Sequence, residues 1–397
     1  MAVRAFGPAL KHEWCLDPRI TYLNHGTVGA PPRRVLTHQQ AIRDEIERQP
    51  AAFLLRGLSN ASFVGGSRPA VPRMRAAAAA VAAFLGARGD DLVFVDNASA
   101  GANAVLRSLT FAPGDEIVLT SHGYGAILQA ARFVARRAGA VVRLVEVPYP
   151  AFDAGRLVEA LTAQLGPRTR LVVVDHVTAE SALVLPVAEI ARRCRDAGVP
   201  VLVDGAHVPG ALALDIPSLG VDWYAANLHK WAFSPRSAGV LWAAPDRQAD
   251  LHPPVISWGL DQGFTEEFDW VGTRDPSPWL AAPAGLEFLE ELGFAQVRAW
   301  NHDLAWRAGQ LLADRWGTAV PVPESVIGTM VTVPVPARLG TTPADAARLR
   351  DRLLVEHGIE VQVHAAAGAV WTRVSAQVYC DLSDVARLAD AVADADA

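Results

Sequence analysis

Cysteine is scarce in this chain: Cys15, Cys194 and Cys380 are the only three in 397 residues. An odd and sparse set excludes a disulfide framework and fits a reducing compartment. Neither sign of charge dominates. With 36 basic and 42 acidic residues the formal net charge is -6. No global field draws nucleic acid or an anionic membrane surface, and neither is expected as a partner. Long apolar runs are missing as well. The longest candidate, residues 76–84, is an alanine-rich helix well short of a membrane span. The opening MAVRAFGPALKHEW is broken by Gly and Pro and does not read as a signal peptide, so a cytoplasmic location is expected. Internal repeats and low-complexity tracts are absent.

What is present is a core-forming sequence, 51% hydrophobic with a mean hydropathy of +0.18. Such a chain buries a substantial core without metals or disulfides. After an irregular start, helices are expected at 33–48 and 71–85. From residue 90 short apolar strands alternate with helices. Strands are expected at 92–95, 116–119, 141–145, 171–174, 201–203, 223–225 and 238–242. LVVV and VLV are continuous rather than alternating, as in strands buried on both faces of a parallel sheet. A loop region rich in Pro and Trp follows, with Trp258, Trp270 and Trp279 read as ordinary packing. Helices and strands after residue 281 suggest a small α+β unit. The expected organisation is an N-terminal segment (1–50) packed on the small domain and the active site, a large α/β domain (51–280) and a small C-terminal domain (281–397).

Four strand ends carry candidate chemistry. Lys230, in Asn227-Leu228-His229-Lys230-Trp231, follows the strand at 223–225. Burying lysine is costly, and open α/β sheets bind ligands where their strands end. An aldehyde such as that of pyridoxal 5'-phosphate (PLP) would give the amine a covalent role. Asp204 ends VLVD; it either caps the next turn or pairs with a protonated pyridine nitrogen. His207 either faces the ring oxygen or satisfies a loop carbonyl. Asp96-Asn97-Ala98-Ser99 precedes a helix whose first amides are an anion site, a plain cap, or both. Tyr124, beside glycines, covers a planar cofactor or simply fills space. The convergence of these groups on one cofactor outweighs any single motif.

The fragments YLNHGTVGAPP, DNASAGANAVLRS, VLVDGAHVPGAL, DWYAANLHKW, WVGTRDPSPW and TRVSAQVY resemble the class V aminotransferase-fold family. This is a fold-type I PLP group that includes cysteine desulfurases, kynureninase and isopenicillin N epimerase, and the resemblance is nearest the epimerase-like branch. It implies an α/β fold with a mostly parallel seven-stranded sheet between helices and a smaller C-terminal α+β domain. It implies PLP bound covalently to Lys230, with Asp204 on the pyridine nitrogen and His207 facing the ring hydroxyl. Ala98, Ser99, Asn227 and His229 would lie around the cofactor, and Tyr124 would stack on it. Thr273 would reach the phosphate of a neighbouring subunit, which implies a homodimer with shared active sites. Arg373 would clamp the substrate carboxylate. Asn24 and His25 would close over the substrate, and Arg56 is a candidate for its far end.

One departure bears on the reaction. Desulfurases of this fold carry a nucleophilic Cys shortly before the carboxylate-binding Arg. The corresponding stretch here, Val363-His364-Ala365-Ala366-Ala367-Gly368-Ala369, has none, so persulfide chemistry is not expected. Lys230 is expected to take the proton from the α-carbon of an amino acid. The resemblance favours an epimerase, which needs a second acid; Tyr124, His25 and His364 are the candidates. A C–S lyase and an aminotransferase are the alternatives, with a non-enzymatic binding module behind them.

Overall fold

The computed structural model describes residues 5–60 and 70–395. Its strands are β1 (Thr21–Tyr22), β2 (Leu92–Val95), β3 (Glu116–Thr120), β4 (Val141–Val145), β5 (Thr169–Asp175), β6 (Val201–Asp204), β7 (Trp223–Asn227), β8 (Gly239–Ala243), β9 (Met330–Pro334), β10 (Ile359–Glu360), β11 (Gln362–Ala366) and β12 (Ala369–Ser375). The large sheet runs β2-β8-β7-β6-β5-β3-β4. Its β7-β6-β5-β3-β4 part is parallel, and β8 is antiparallel to both neighbours. The sheet is therefore mixed but mostly parallel.

The central strands carry continuous apolar runs, LVVV in β5 and VLV in β6, because helices cover both faces. Leu171, Val172 and Val174 on β5 and Leu202 and Val203 on β6 are fully buried. Helix Ala98–Ser108 packs against β7 and β8. It starts where Asn97 accepts the Ala100 amide on its side chain, at 3.0 Å, as an N-cap should. Gly239, at the start of β8, lets this turn approach. A Cβ there would lie 2.6 Å from the Cα of Asn97.

A three-stranded antiparallel sheet, β11-β12-β9, forms the smaller α+β part. Helices Phe294–Trp316, Pro343–His357 and Leu382–Asp394 accompany it. β1 pairs in parallel with β10, which fastens the N-terminal segment to this part. Among the described residues no helix is long and apolar enough to cross a membrane. Of the three tryptophans read as packing, Trp270 and Trp279 are buried. Trp258 instead is 65% exposed, in a stretch that also exposes Val255, Ile256 and Leu260.

Candidate active site

Parallel strands bring their C-terminal ends to one edge of the sheet, so residues scattered in sequence meet there. Two adjoining cavities lie at this edge. The inner one has a volume of about 370 Å³ and is lined by Ala98, Ser99, Asp204, Asn227 and His229. The outer one, about 710 Å³, is lined by His122, His364 and Arg373. Lys230, Tyr124, His207, Thr27 and Ala179 border both. The cavities sit side by side around the lysine, and each is within the size range of small-molecule sites.

Lys230 is 8% exposed. Burial, with Arg373 as a lesser cause, lowers its pKa from 10.5 to about 8. Its Nζ lies 3.0 Å from Nε2 of His207. The Trp231 indole N–H donates to the other His207 nitrogen at 3.4 Å. An indole can only donate, so this contact favours the His207 form protonated on Nε2. That form in turn favours a neutral Lys230 as acceptor. Burial pushes the pKa of His207 well below the ordinary histidine value.

Asp204 and Asp175 are register partners at the ends of β6 and β5, and both line the inner cavity. Asp204 accepts the Ala206 amide at 2.9 Å; Asp175 accepts the Tyr124 amide at 3.3 Å. Burial raises both carboxyls above their ordinary range, and Asp204 adds to the shift of Asp175. Two buried carboxylates side by side call for a cation or a proton. The sequence reading ended the strand at residue 174 and missed Asp175. Its signal was available: VVVDH repeats the apolar-run-then-Asp pattern of VLVDG.

At the other end of the inner cavity lies the N-terminus of helix Ala98–Ser108. Asn227 accepts the Ala98 amide at 2.9 Å, which ties this turn to β7. His229 donates to the Ala238 carbonyl at 3.2 Å, and burial lowers its pKa to about 4. Arg236 and Ser237 also line this end. Both were missed, although they follow the lysine closely in the S-P-R-S stretch. Helix amides, a serine hydroxyl and a guanidinium form an anion end. The donor set fits PLP: an anion end for its phosphate, an amine in mid-cavity, and buried carboxylates for a protonated ring nitrogen. Tyr124, 46% exposed, borders the space between.

Arg373 lies on β12, 3% exposed, and burial lowers its pKa to about 10. It donates to the Ala179 carbonyl, to Thr27 Oγ1 at 2.8 Å and to Asn24 Oδ1 at 3.4 Å. Its Nε is buried without a hydrogen-bond partner. Asn24 in turn donates to Glu360 at 2.8 Å. Asn24 thus braces Arg373 from behind and is not among the residues lining either cavity. Thr27, which the sequence reading passed over, takes the wall position.

His25, expected to close over the substrate, also lies away from both cavities. It is completely buried. It donates Nε2–H to the Lys230 carbonyl at 2.8 Å and accepts the Tyr379 hydroxyl on Nδ1 at 2.8 Å. Burial lowers its pKa to about 4. With both nitrogens engaged and neither cavity reached, His25 holds the lysine loop and is not placed to deliver a proton. Gly29 lets the N-terminal segment pass close to the same loop: at φ +68° a Cβ there would lie 1.8 Å from the His229 carbonyl oxygen. Arg56 is exposed in the turn Phe53–Gly57 and Thr273 is exposed after residue 270. Neither borders a cavity of its own chain. The expected substrate contact of Arg56 is therefore not made within its own chain. Cys15 is exposed, Cys194 and Cys380 are buried, and none lines either cavity.

Comparison with known proteins agrees with this geometry. The model of the family "Aminotransferase class-V" matches residues 56–388. Isopenicillin N epimerase from Streptomyces clavuligerus is 34% identical, over 95% of this chain and 95% of its own. A probable chloroplastic L-cysteine desulfhydrase from Arabidopsis thaliana is 32% identical, over 95% of this chain and 83% of its own. A cysteine desulfurase from Thermococcus onnurineus NA1 superposes with a TM-score of 0.79 at 22% identity, over 100% of this chain and 99% of that one. The desulfhydrase and the epimerase stand at similar identity, so the resemblance is not to the epimerase branch alone, while the desulfurase shares the fold. The chain belongs to the class-V aminotransferase family and is a PLP-dependent enzyme of fold type I acting on an amino-acid-derived substrate.

Proposed function

We propose that the enzyme cleaves the C–S bond of a cysteine-derived α-amino acid by α,β-elimination. The observation that carries this reading is the set of proton carriers around the inner cavity. Lys230 is the amine there, and its pKa of about 8 keeps a neutral fraction available near pH 7. An epimerase needs a second proton carrier on the opposite face. His25 is enclosed, and burial holds His364 to about 4 and lowers His122 as well. Elimination needs one base only, because a thiolate leaves without strong acid assistance. The desulfhydrase kinship of the Arabidopsis relative supports it, and the absence of cysteine from both cavity walls disfavours a persulfide route.

In this reading Arg373 grips the substrate carboxylate through its guanidinium, braced by Thr27 and Asn24. Lys230 Nζ receives the α-proton, with His207 fixing its position. Asp204, beside Asp175 on the same wall, would hold the protonated ring nitrogen of PLP, Asn97, Ser99, Arg236 and Ser237 would hold its phosphate, and Tyr124 would cover its ring. PLP, when bound, supplies the electron sink that makes the α-proton acidic. The proton leaves Cα, the C–S electron pair departs with the thiolate, and the enamine hydrolyses to a 2-oxo acid and ammonia.

Epimerisation is the second reading, because the Tyr124 phenol borders both cavities. Incubation with L-cysteine and S-alkyl-L-cysteines in deuterated water separates the two. Elimination predicts equal amounts of 2-oxo acid, ammonia and thiol. Accumulation of the deuterated D-amino acid without 2-oxo acid would overturn it. We also propose a homodimer in which Thr273 serves the partner's phosphate site, since it is exposed and away from its own chain's cavities. A monomeric mass by sedimentation at micromolar concentration would exclude that arrangement.

A further inference from the structure

The outer cavity is larger than a cysteine-sized substrate requires, and two acidic side chains, Glu146 and Glu180, are part of its lining, Glu180 within electrostatic reach of Arg373. We infer that it selects amino acids whose side chain ends in a cation, a primary ammonium or a guanidinium, held between Glu146 and Glu180. This rests on the proposed binding of an α-amino acid by Arg373 and deepens that reading by naming the side chain.

The charges lining the cavity give the first reason. Its cations are Arg373 and Lys230, and both already have work at the α-carbon. Its histidines do not replace them: burial lowers the pKa of His122 and holds His364 to about 4. Two acidic side chains remain, Glu146 and Glu180, both on the cavity wall and both exposed. No hydrogen bond or ion pair engages either carboxylate among the described residues. A substrate ending in a carboxylate would meet like charge here with no cation to spare.

Unpartnered polar atoms of two residues that line the same cavity give the second, independent reason. His364 is 9% exposed, and its Nδ1 has no hydrogen-bond partner. The Tyr149 hydroxyl is also buried without one. Tyr149 packs on Trp371 with ring centroids 5.1 Å apart and is itself part of the cavity lining. An ammonium has three N–H donors and no acceptor. A neutral imidazole nitrogen, a phenol oxygen, carboxylates and an aromatic face are all groups that take such donors.

The test uses the holoenzyme and three cysteines of similar size. S-(2-aminoethyl)-L-cysteine is positive at its end, S-(2-hydroxyethyl)-L-cysteine neutral, and S-(carboxymethyl)-L-cysteine negative. Apparent Kd is read on mixing from the change in cofactor absorbance, and product release is followed separately. The aminoethyl compound is expected to bind about tenfold more tightly than the hydroxyethyl compound, the summed scale of two partly exposed ion pairs, with the carboxymethyl compound weakest. The variant Glu146→Gln/Glu180→Gln should bring the three values within about threefold of one another. Equal binding in the wild type, no binding by any of the three, or a preference that survives the double variant overturns the inference. If the order of binding holds but no thiol is released, the elimination reading fails and this one stands. If thiol is released without any order, the reverse is true.

Discussion

Replacing Lys230 by methionine should abolish turnover and yet make the cofactor-free protein more stable. The amine is 8% exposed and its pKa falls from 10.5 to about 8. The folded state therefore disfavours the charged amine. At about 1.4 kcal/mol per pH unit, holding the charge below pH 8 costs about 3 kcal/mol. Methionine keeps the chain length and removes the charge. Part of the gain is offset by the lost contact with His207 Nε2, on the order of 1 kcal/mol. The pH dependence is the cleaner signature. The folded pKa lies below the unfolded value, so between about 8 and 10.5 the unfolded chain binds more protons. Wild-type stability gains from Lys230 as pH rises through that window, and Lys230→Met lacks that gain. Urea unfolding of both cofactor-free proteins from pH 7 to 10 should show the variant's advantage shrinking by about 2 to 3 kcal/mol. A difference that stays flat across this range, or a variant that loses ground to wild type at pH 7, would refute the claim that burial sets the state of this amine.

Three further outcomes are expected. Asp204→Asn removes a buried carboxylate from the ring nitrogen; PLP affinity should fall about a hundredfold, the scale of one charge-assisted pairing, measured by fluorescence titration. Asn24→Ala takes one acceptor from Arg373 and leaves Glu360 without its partner, so KM should rise about tenfold while cofactor affinity stays near wild type. His25→Ala strips partners from the Lys230 carbonyl and the Tyr379 hydroxyl; it should cost about 2 to 4 kcal/mol in denaturant unfolding. If instead it changed the stereochemical outcome without changing stability, the bracing role would be wrong.

The large sheet was legible because its central strands are continuously apolar, a pattern with few competing explanations. The antiparallel course of β8 was not, since VLW reads the same in either direction. Lys230 and Asp204 stood out because charged residues interrupt apolar strands at their ends. Asp175 was lost to a boundary one residue short. The brace around His25 had no local signature at all: its partners lie 205 and 354 residues away along the chain. The same holds for Asn24 and Arg373, separated by 349 positions. Motif matching placed both near the substrate. Only the three-dimensional contacts distinguish a residue that touches it from one that supports another side chain.

The joining of Thr21–Tyr22 to Ile359–Glu360 has a bearing on biosynthesis. The seven strands of the large sheet end by Ala243, so a nascent chain can hold the cofactor's anchor before its last third is made. The arginine grip is different, because one half of it emerges first from the ribosome and the other half nearly last. In the proposed reading, one chain's residues around Lys230 are therefore complete in the growing sequence well before Arg373 is added to the carboxylate grip.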